Sequence, residues 1–234
     1  MSETVSFQRA RRPEQVEARR AAILAAARAA LPGRSVRAVT LRDLAEGAGV
    51  AKSHVLRYFD SREAVLLELL IEDWAGWLDE VAARIEAGGG ADRARWLAGL
   101  LAATLTARPV LCDLFAAMSG ELEANVSLDT ARAFKRRAYG YNTRLAELLG
   151  VAAPLPEAAG IAVARALVAT VAGLWPFANP NEIVATASAE LGNRLGPDRF
   201  ERELREIVTA LVIGFGAHGP GAPVSPPGDA RADG

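Results

Sequence analysis

Residues 40–63 read TLRDLAEGAGVAKSHVLRYFDSRE, and their spacing predicts two short helices around a glycine turn, leading into a third. Thr40 is a favourable N-cap, and Asp43 three residues on completes a T-x-x-D capping pair. Leu41, Leu44, Ala45 and Ala48 then recur at helical spacing. Gly49 breaks this helix where a tight turn needs left-handed backbone, and Val50 can dip between the helices. The next helix spans about 52–59, with Val55, Leu56 and Phe59 on an apolar side and Lys52, Ser53, His54 and Arg57 largely elsewhere. Ser61 caps a third helix carrying Arg62 and Glu63. A short helix with small polar and basic groups after a glycine turn suits a DNA major groove. Ala-x-x-x-Gly-Val by itself also occurs in ordinary helical hairpins.

Composition agrees with a packed helical protein that docks one end on phosphate. Hydrophobic residues make up 51% of the 234, enough to fill a sizeable core. The net charge of −1 conceals an asymmetry: residues 1–62 carry 12 Lys+Arg against 6 Asp+Glu, whereas the remainder carries 15 against 22. The single cysteine, Cys112, excludes an internal disulfide and a Cys-rich zinc site. It reads as a small buried hydrophobe, with a redox sensor as the alternative. No stretch approaches the ~18 apolar residues needed to span a membrane, and the expected compartment is the cytoplasm. Arg11-Arg12 before AAILAAARAAL imitates a secretory signal, but Pro13, Glu14, Glu17, Arg19, Arg20 and Arg28 interrupt it.

Outward from the central motif the periodicity is helical throughout. A polar arm over 1–12 precedes a helix from Pro13 to about Leu31, stopped by Pro32-Gly33. The helix from Ser61 extends to about Ala87 and ends at Gly88-Gly89-Gly90, a triplet without the Gly-Lys-Ser/Thr ending of a phosphate-binding loop. Further helices are expected over about 92–106, 109–120, 127–149, 156–175 (stopped by Pro176), 181–191 and 197–215. The Gly/Pro/Asp-rich segment from Gly219 is expected to be disordered. The reading is all-α: an arm and helix-turn-helix domain over 1–60, a larger helical effector-binding and dimerisation domain over 61–218, and a tail over 219–234.

The longer string, Gly-Val-x-Lys, a short helix, Tyr-Phe, then Ser-Arg-Glu before an apolar helix, resembles the DNA-binding domain of the tetracycline-repressor (TetR/AcrR) transcriptional regulators. The motif resemblance covers about residues 14–72; beyond that only the helical architecture is similar. Thr40 and Arg42 begin a helix, where free N–H groups also favour phosphate. Lys52, Ser53 and His54 front the recognition helix and are base-reading candidates. His54 can donate to base or phosphate, or be an exposed bystander, and Arg57 can reach either. The resemblance implies phosphate contacts from Tyr58 and from Arg62, which stands where the family usually has lysine. Tyr58 can equally be a packed ring with its hydroxyl in water. Two residues depart from the family pattern: Ala51 where serine is frequent, which removes a cap, and Leu56 where tyrosine is common.

The resemblance further implies a homodimer on an inverted-repeat operator and a small hydrophobic effector. The helix at 156–175 is apolar nearly all round, so it needs partners on every face. With the terminal helix it can form an intermolecular bundle through Ala164, Leu167, Val168, Val171, Leu204, Ile207, Val208 and Leu211, unless both helices are interior. Trp74, Trp77, Trp96, Phe115, Met118, Phe134, Tyr141 and Trp175 are available to an effector pocket or to the core. Asp113, Asn142 and Thr170 are candidate orienting groups. No metal, cofactor or enzymatic role is expected: the two histidines, His54 and His218, sit in no nucleophile–base or metal-ligand pattern. The rival class is a helical lipid- or small-molecule-binding protein of the same architecture that does not touch DNA.

Overall fold

The computed structural model describes residues 13–218; the expected arm over 1–12 and disordered tail from Gly219 lie outside them. The described residues form ten α-helices: α1 (Pro13–Ala30), α2 (Leu41–Gly47), α3 (Lys52–Tyr58), α4 (Arg62–Glu86), α5 (Arg93–Thr106), α6 (Pro109–Ala117), α7 (Leu128–Ala152), α8 (Glu157–Ala178), α9 (Glu182–Glu190) and α10 (Pro197–His218). A 3-10 turn at Val36–Ala38 precedes α2, and a π turn at Met118–Leu122 follows α6. The fold is all-α, as the periodicity predicts.

The chain divides into two compact units. The first comprises residues through Gly76 together with Arg108–Tyr139; the second comprises Trp77–Ala107 and the residues from Gly140 onward. Helices α4 and α7 are therefore each shared between the two.

In the first unit, α1, α2 and α3 pack on one another around Ile23, Ala27, Leu44, Val55 and Phe59, all buried. Gly47 lies so close to α1 that a Cβ there would stand 3.0 Å from the Ala26 Cβ. The start of α4 contributes Leu66, Leu67, Leu69, Leu70 and Ile71, and Trp74 meets Phe115 of α6 edge-to-face at 4.9 Å. Cys112, also on α6, is fully buried, and that burial pushes its thiol pKa far above the ordinary range.

In the second unit, α10 packs against α5 and α8. Trp175 of α8 meets Phe200 of α10 edge-to-face at 4.9 Å. Trp77 Nε1 donates to Thr104 Oγ1 at 3.0 Å, which satisfies the indole in the interior. Gly160 admits the close approach of α7: a Cβ there would stand 3.0 Å from the Ala146 carbonyl oxygen.

Two expectations need correction. Pro176 does not stop α8, which continues to Ala178. Proline removes one N–H and crowds the preceding turn, but Trp175 and Ala178 on either side are buried and hold the last turn in place. Helix α8 is also long and apolar enough, by length and composition, to cross a membrane. Arg165 and Thr170 break the run of apolar residues, but the helix as a whole stays apolar. Of that apolar stretch 44% is buried inside the fold.

Candidate DNA interface and effector region

Helix α3 is anchored by Val55 and Phe59, both buried, and it presents Lys52, Ser53, His54 and Arg57 to solvent. Leu56, expected on the apolar side, is 47% exposed and belongs to the outward face. Ala51 makes no side-chain cap, so the first N–H groups of α3 depend on solvent or a partner. Gly49 adopts φ +63°, the left-handed turn conformation that the sequence requires there. A shallow groove of about 330 Å³ beside α3 brings His54, Arg57 and half-buried Tyr58 together with Arg19 of α1. Sequence reasoning missed Arg19; its place on the outward face of a helix preceding the motif was the available signal.

Thr40 begins α2 in a reciprocal capping box. The Asp43 amide donates to Thr40 Oγ1 at 3.2 Å, and the Thr40 amide donates to Asp43 Oδ2 at 2.6 Å. The hydrogen bonds from Thr40, and then Arg34, hold the Asp43 carboxyl far below the usual carboxylate range. Arg42 is exposed and gives its Nε to Glu46 Oε1 at 2.6 Å. That hydrogen bond raises the guanidinium pKa.

Arg62 has a different situation from the one the family resemblance implies. Its side chain is only 15% exposed. Nη1 donates to the carbonyls of Val36 at 3.2 Å and Val39 at 2.7 Å, Nε to Glu63 at 3.0 Å, and Nη2 to Glu121 at 2.7 Å. Burial opposes its charge, and the bonds to Glu121 and Glu63 outweigh that penalty. With its donors so engaged, Arg62 is a brace across α4, the turn before α2 and the π turn rather than a cation held out to phosphate. Glu121 also accepts from Arg37 Nε at 2.8 Å. Next to this brace, Asp60 Oδ2 accepts from the Ser127 amide at 3.3 Å and from Thr130 Oγ1 at 2.9 Å, tying the α3–α4 junction to the start of α7. Neither Glu121 nor Asp60 was singled out from sequence, because their partners are distant along the chain.

The aromatic candidates for an effector site are distributed over both units. In the first, Phe115 is core, Met118 opens the π turn half-buried, and buried Phe134 lines a cavity of about 310 Å³ with Arg20, Phe59 and Arg137. In the second, Trp77 and Trp175 are core and Tyr141 is half-buried. Trp96 lines an open cleft of about 1050 Å³ at the α4–α5 turn.

The expected dimer residues are likewise divided by burial. Ala164, Leu167, Val168 and Val171 of α8, and Leu204 and Val208 of α10, are buried within the single chain. They pack inside this chain, where α10 lies against both α8 and α5. Leu211 is half-buried and Ile207 is exposed. The outward apolar groups of this unit include Ile207 and Ile213 of α10, Phe177 at the end of α8, Val151 of α7, and Ile183, Val184 and Leu191 at α9.

Comparison with known proteins agrees with this architecture. Residues 23–69 match the family described as bacterial regulatory proteins, tetR family, and residues 71–219 match the tetracyclin repressor-like C-terminal domain. The chain belongs to the TetR family of transcriptional regulators. It is 40% identical over 70 residues to the HTH-type transcriptional repressor KstR2 of Mycobacterium tuberculosis, a match covering 30% of this chain and 33% of that repressor. Among solved structures, Thermus thermophilus FadR, a TetR-family repressor in complex with lauroyl-CoA, aligns over 89% of this chain and 98% of its own at 21% identity and TM-score 0.55. Bacillus subtilis FadR in complex with stearoyl-CoA aligns over 83% and 98% at 16% identity and TM-score 0.51. At these identities the two structures share the fold.

Proposed function

We propose that this regulator binds an inverted-repeat operator as a homodimer and represses until a hydrophobic small molecule releases it. The observation that carries the reading is α3: Lys52, Ser53, His54 and Arg57 stand exposed on a helix whose Val55 and Phe59 are locked in the core. Lysine and serine at the front of such a helix read base edges. Arg57, Tyr58, Arg42 and Thr40 serve the phosphates, joined by Arg19. Such contacts supply most of the affinity, and two half-sites multiply when they are held rigidly. A duplex-DNA partner places the protein in the cytoplasm.

The second copy docks on the outer faces of α8 and α10, where Ile207 and Ile213 of α10 and Ala169 and Gly173 of α8 are exposed. Small residues there permit close helix approach. The effector class follows from the apolar, aromatic inventory, and long-chain acyl-CoA thioesters of the kind held by the two FadR structures suit it. Ligand binding acts through α4, the continuous helix that begins at the DNA-binding end. In the ligand-free dimer the recognition helices stand about one DNA turn, ~34–36 Å, apart. A ligand changes that spacing only through its differential affinity for the two arrangements, typically worth about 1–3 kcal/mol.

The test is selection of bound sequences from a random duplex DNA pool by the full chain at two salt concentrations. An enriched inverted repeat, released on adding lauroyl-CoA, is the expected result. Binding that salt abolishes without any enriched motif would leave only a basic surface and move a ligand-carrier role ahead. A ligand that binds yet leaves operator affinity unchanged would sink the release mechanism.

A further inference from the structure

The cleft of about 1050 Å³ in the second unit is walled by the end of α4, the glycine turn, α5 and α10. Its size reaches the upper end of the range for small-molecule sites. Its chemistry is mixed: Arg84, Arg95 and Arg205 supply three guanidinium groups, and Trp96, Leu100 and Ala103 supply an apolar wall. Guanidinium forks match phosphate oxygens in bidentate geometry and stack on planar rings.

The glycine triplet positions the indole. A Cβ at Gly89 would stand 2.8 Å from Trp96 Cδ2 and Cε3, and one at Gly90 would stand 3.5 Å from its Cβ. The turn therefore lies directly against the tryptophan, which is half-buried and lines the cleft. Glycine here serves close packing against a ring, which explains a triplet that lacks the ending of a phosphate-binding loop.

The acidic groups at the cleft are partly committed. Asp92 caps α5 by accepting from the Arg95 amide at 3.1 Å, and it pairs with the Arg95 guanidinium at 3.5 Å. Arg84 pairs with Glu80 one turn earlier at 2.9 Å. Exposed pairs of this kind are weak and exchange readily for a more highly charged anion. Arg205 is in no ion pair among the described residues, and Glu206 is the remaining carboxylate.

We infer that this cleft binds a phosphate-bearing ligand of nucleotide type, with Trp96 taking the planar ring and Arg84, Arg95 and Arg205 the phosphates. The same group occurs as a free nucleotide and as the handle of a coenzyme A thioester. The site stands on its own geometry and does not depend on DNA release.

The experiment is calorimetric titration of the full chain with ADP, coenzyme A and lauroyl-CoA. It compares wild type with Arg205→Glu, Arg205→Lys, Arg95→Glu and Trp96→Leu. Arg205 and Arg95 are exposed, so those variants retain the fold even if Trp96→Leu does not. The expected result is salt-sensitive binding that weakens about ten-fold or more in Arg205→Glu and Arg95→Glu and less in Arg205→Lys. Binding of ADP and coenzyme A alike identifies a nucleotide site; binding of lauroyl-CoA alone, with the same arginine dependence, identifies the thioester handle. No binding of any probe, or binding that ignores all four substitutions, overturns the inference. Operator release is measured separately. Lauroyl-CoA that releases DNA from the Arg205→Glu protein as from wild type keeps the effector reading and removes this cleft from it. Nucleotide binding without release does the reverse.

Discussion

Arg62 Nη2 donates to Glu121 Oε1 at 2.7 Å across 59 residues of chain, so the first turn of α4 is held by the π turn after α6. Single π turns inside helical runs are frequent at functional positions. Replacing Glu121 with alanine removes one of the two carboxylates paired with a mostly buried guanidinium and leaves its Nη2 without that acceptor. The expected cost is about 1–3 kcal/mol in urea denaturation. If α3 reads DNA as proposed, operator affinity should fall as well, although the Glu121 carboxylate bonds Arg37 and Arg62 rather than α3. A Glu121→Ala protein with unchanged stability and unchanged DNA affinity would show that the brace is idle.

The Thr40–Asp43 box sets the entry to α2. Thr40→Ala should lower stability by about 1 kcal/mol, and Thr40→Ser by much less, because serine keeps the acceptor oxygen. Thermal melts of the two variants side by side check this.

At Gly49 the open surroundings leave room for a side chain, but φ is +63°. Gly49→Ala therefore carries a backbone cost of about 1–2 kcal/mol with no steric clash. Gly49→Asn should cost less, since asparagine tolerates the left-handed region. Equal melting temperatures for the alanine and asparagine variants would contradict a purely conformational cause.

Asp60 titrates below its ordinary value: burial pushes it up, but the bonds from Ser127 and Thr130 outweigh that. A carboxyl depressed in the folded state stabilises fully above its unfolded pKa and loses that contribution as pH falls through the folded value. Melting temperature should therefore drop more steeply below about pH 4 in wild type than in Asp60→Asn. Parallel curves for the two proteins would remove Asp60 from the acid response.

Arg57 and Ser53 should separate by kind of effect. Arg57→Ala should weaken operator and random DNA alike and reduce the salt slope by about one. Ser53→Ala should change the selected sequence with little change in slope. A matched response in both variants would mean that α3 does not lie in the groove as proposed.

The helix-turn-helix was legible because its signals are local. A cap, a capping partner three residues on and a left-handed glycine fix α2, the turn and α3 within twenty residues. The inward faces of α8 and α10 were not legible. An all-round apolar helix has no periodic signal that distinguishes its own core from a partner's surface. Val168 and Val208 are claimed by packing with helices that lie elsewhere in the chain. Trp77 is a core residue for a related reason: its indole is satisfied by Thr104, 27 residues away. Glu121 carries no pattern at all, since its role exists only once Arg37 and Arg62 arrive beside it.

Cys112 is the sole sulfur nucleophile of the chain, and it is fully enclosed with its proton tightly held. Alkylating and oxidising reagents act on the thiolate, which this residue does not offer. The native protein is thus a silent background for thiol-directed probes. A cysteine placed at an exposed position of α3, such as Ser53, would take a spin label without competition. The distance between two such labels in a dimer would report the recognition-helix separation directly, with and without ligand.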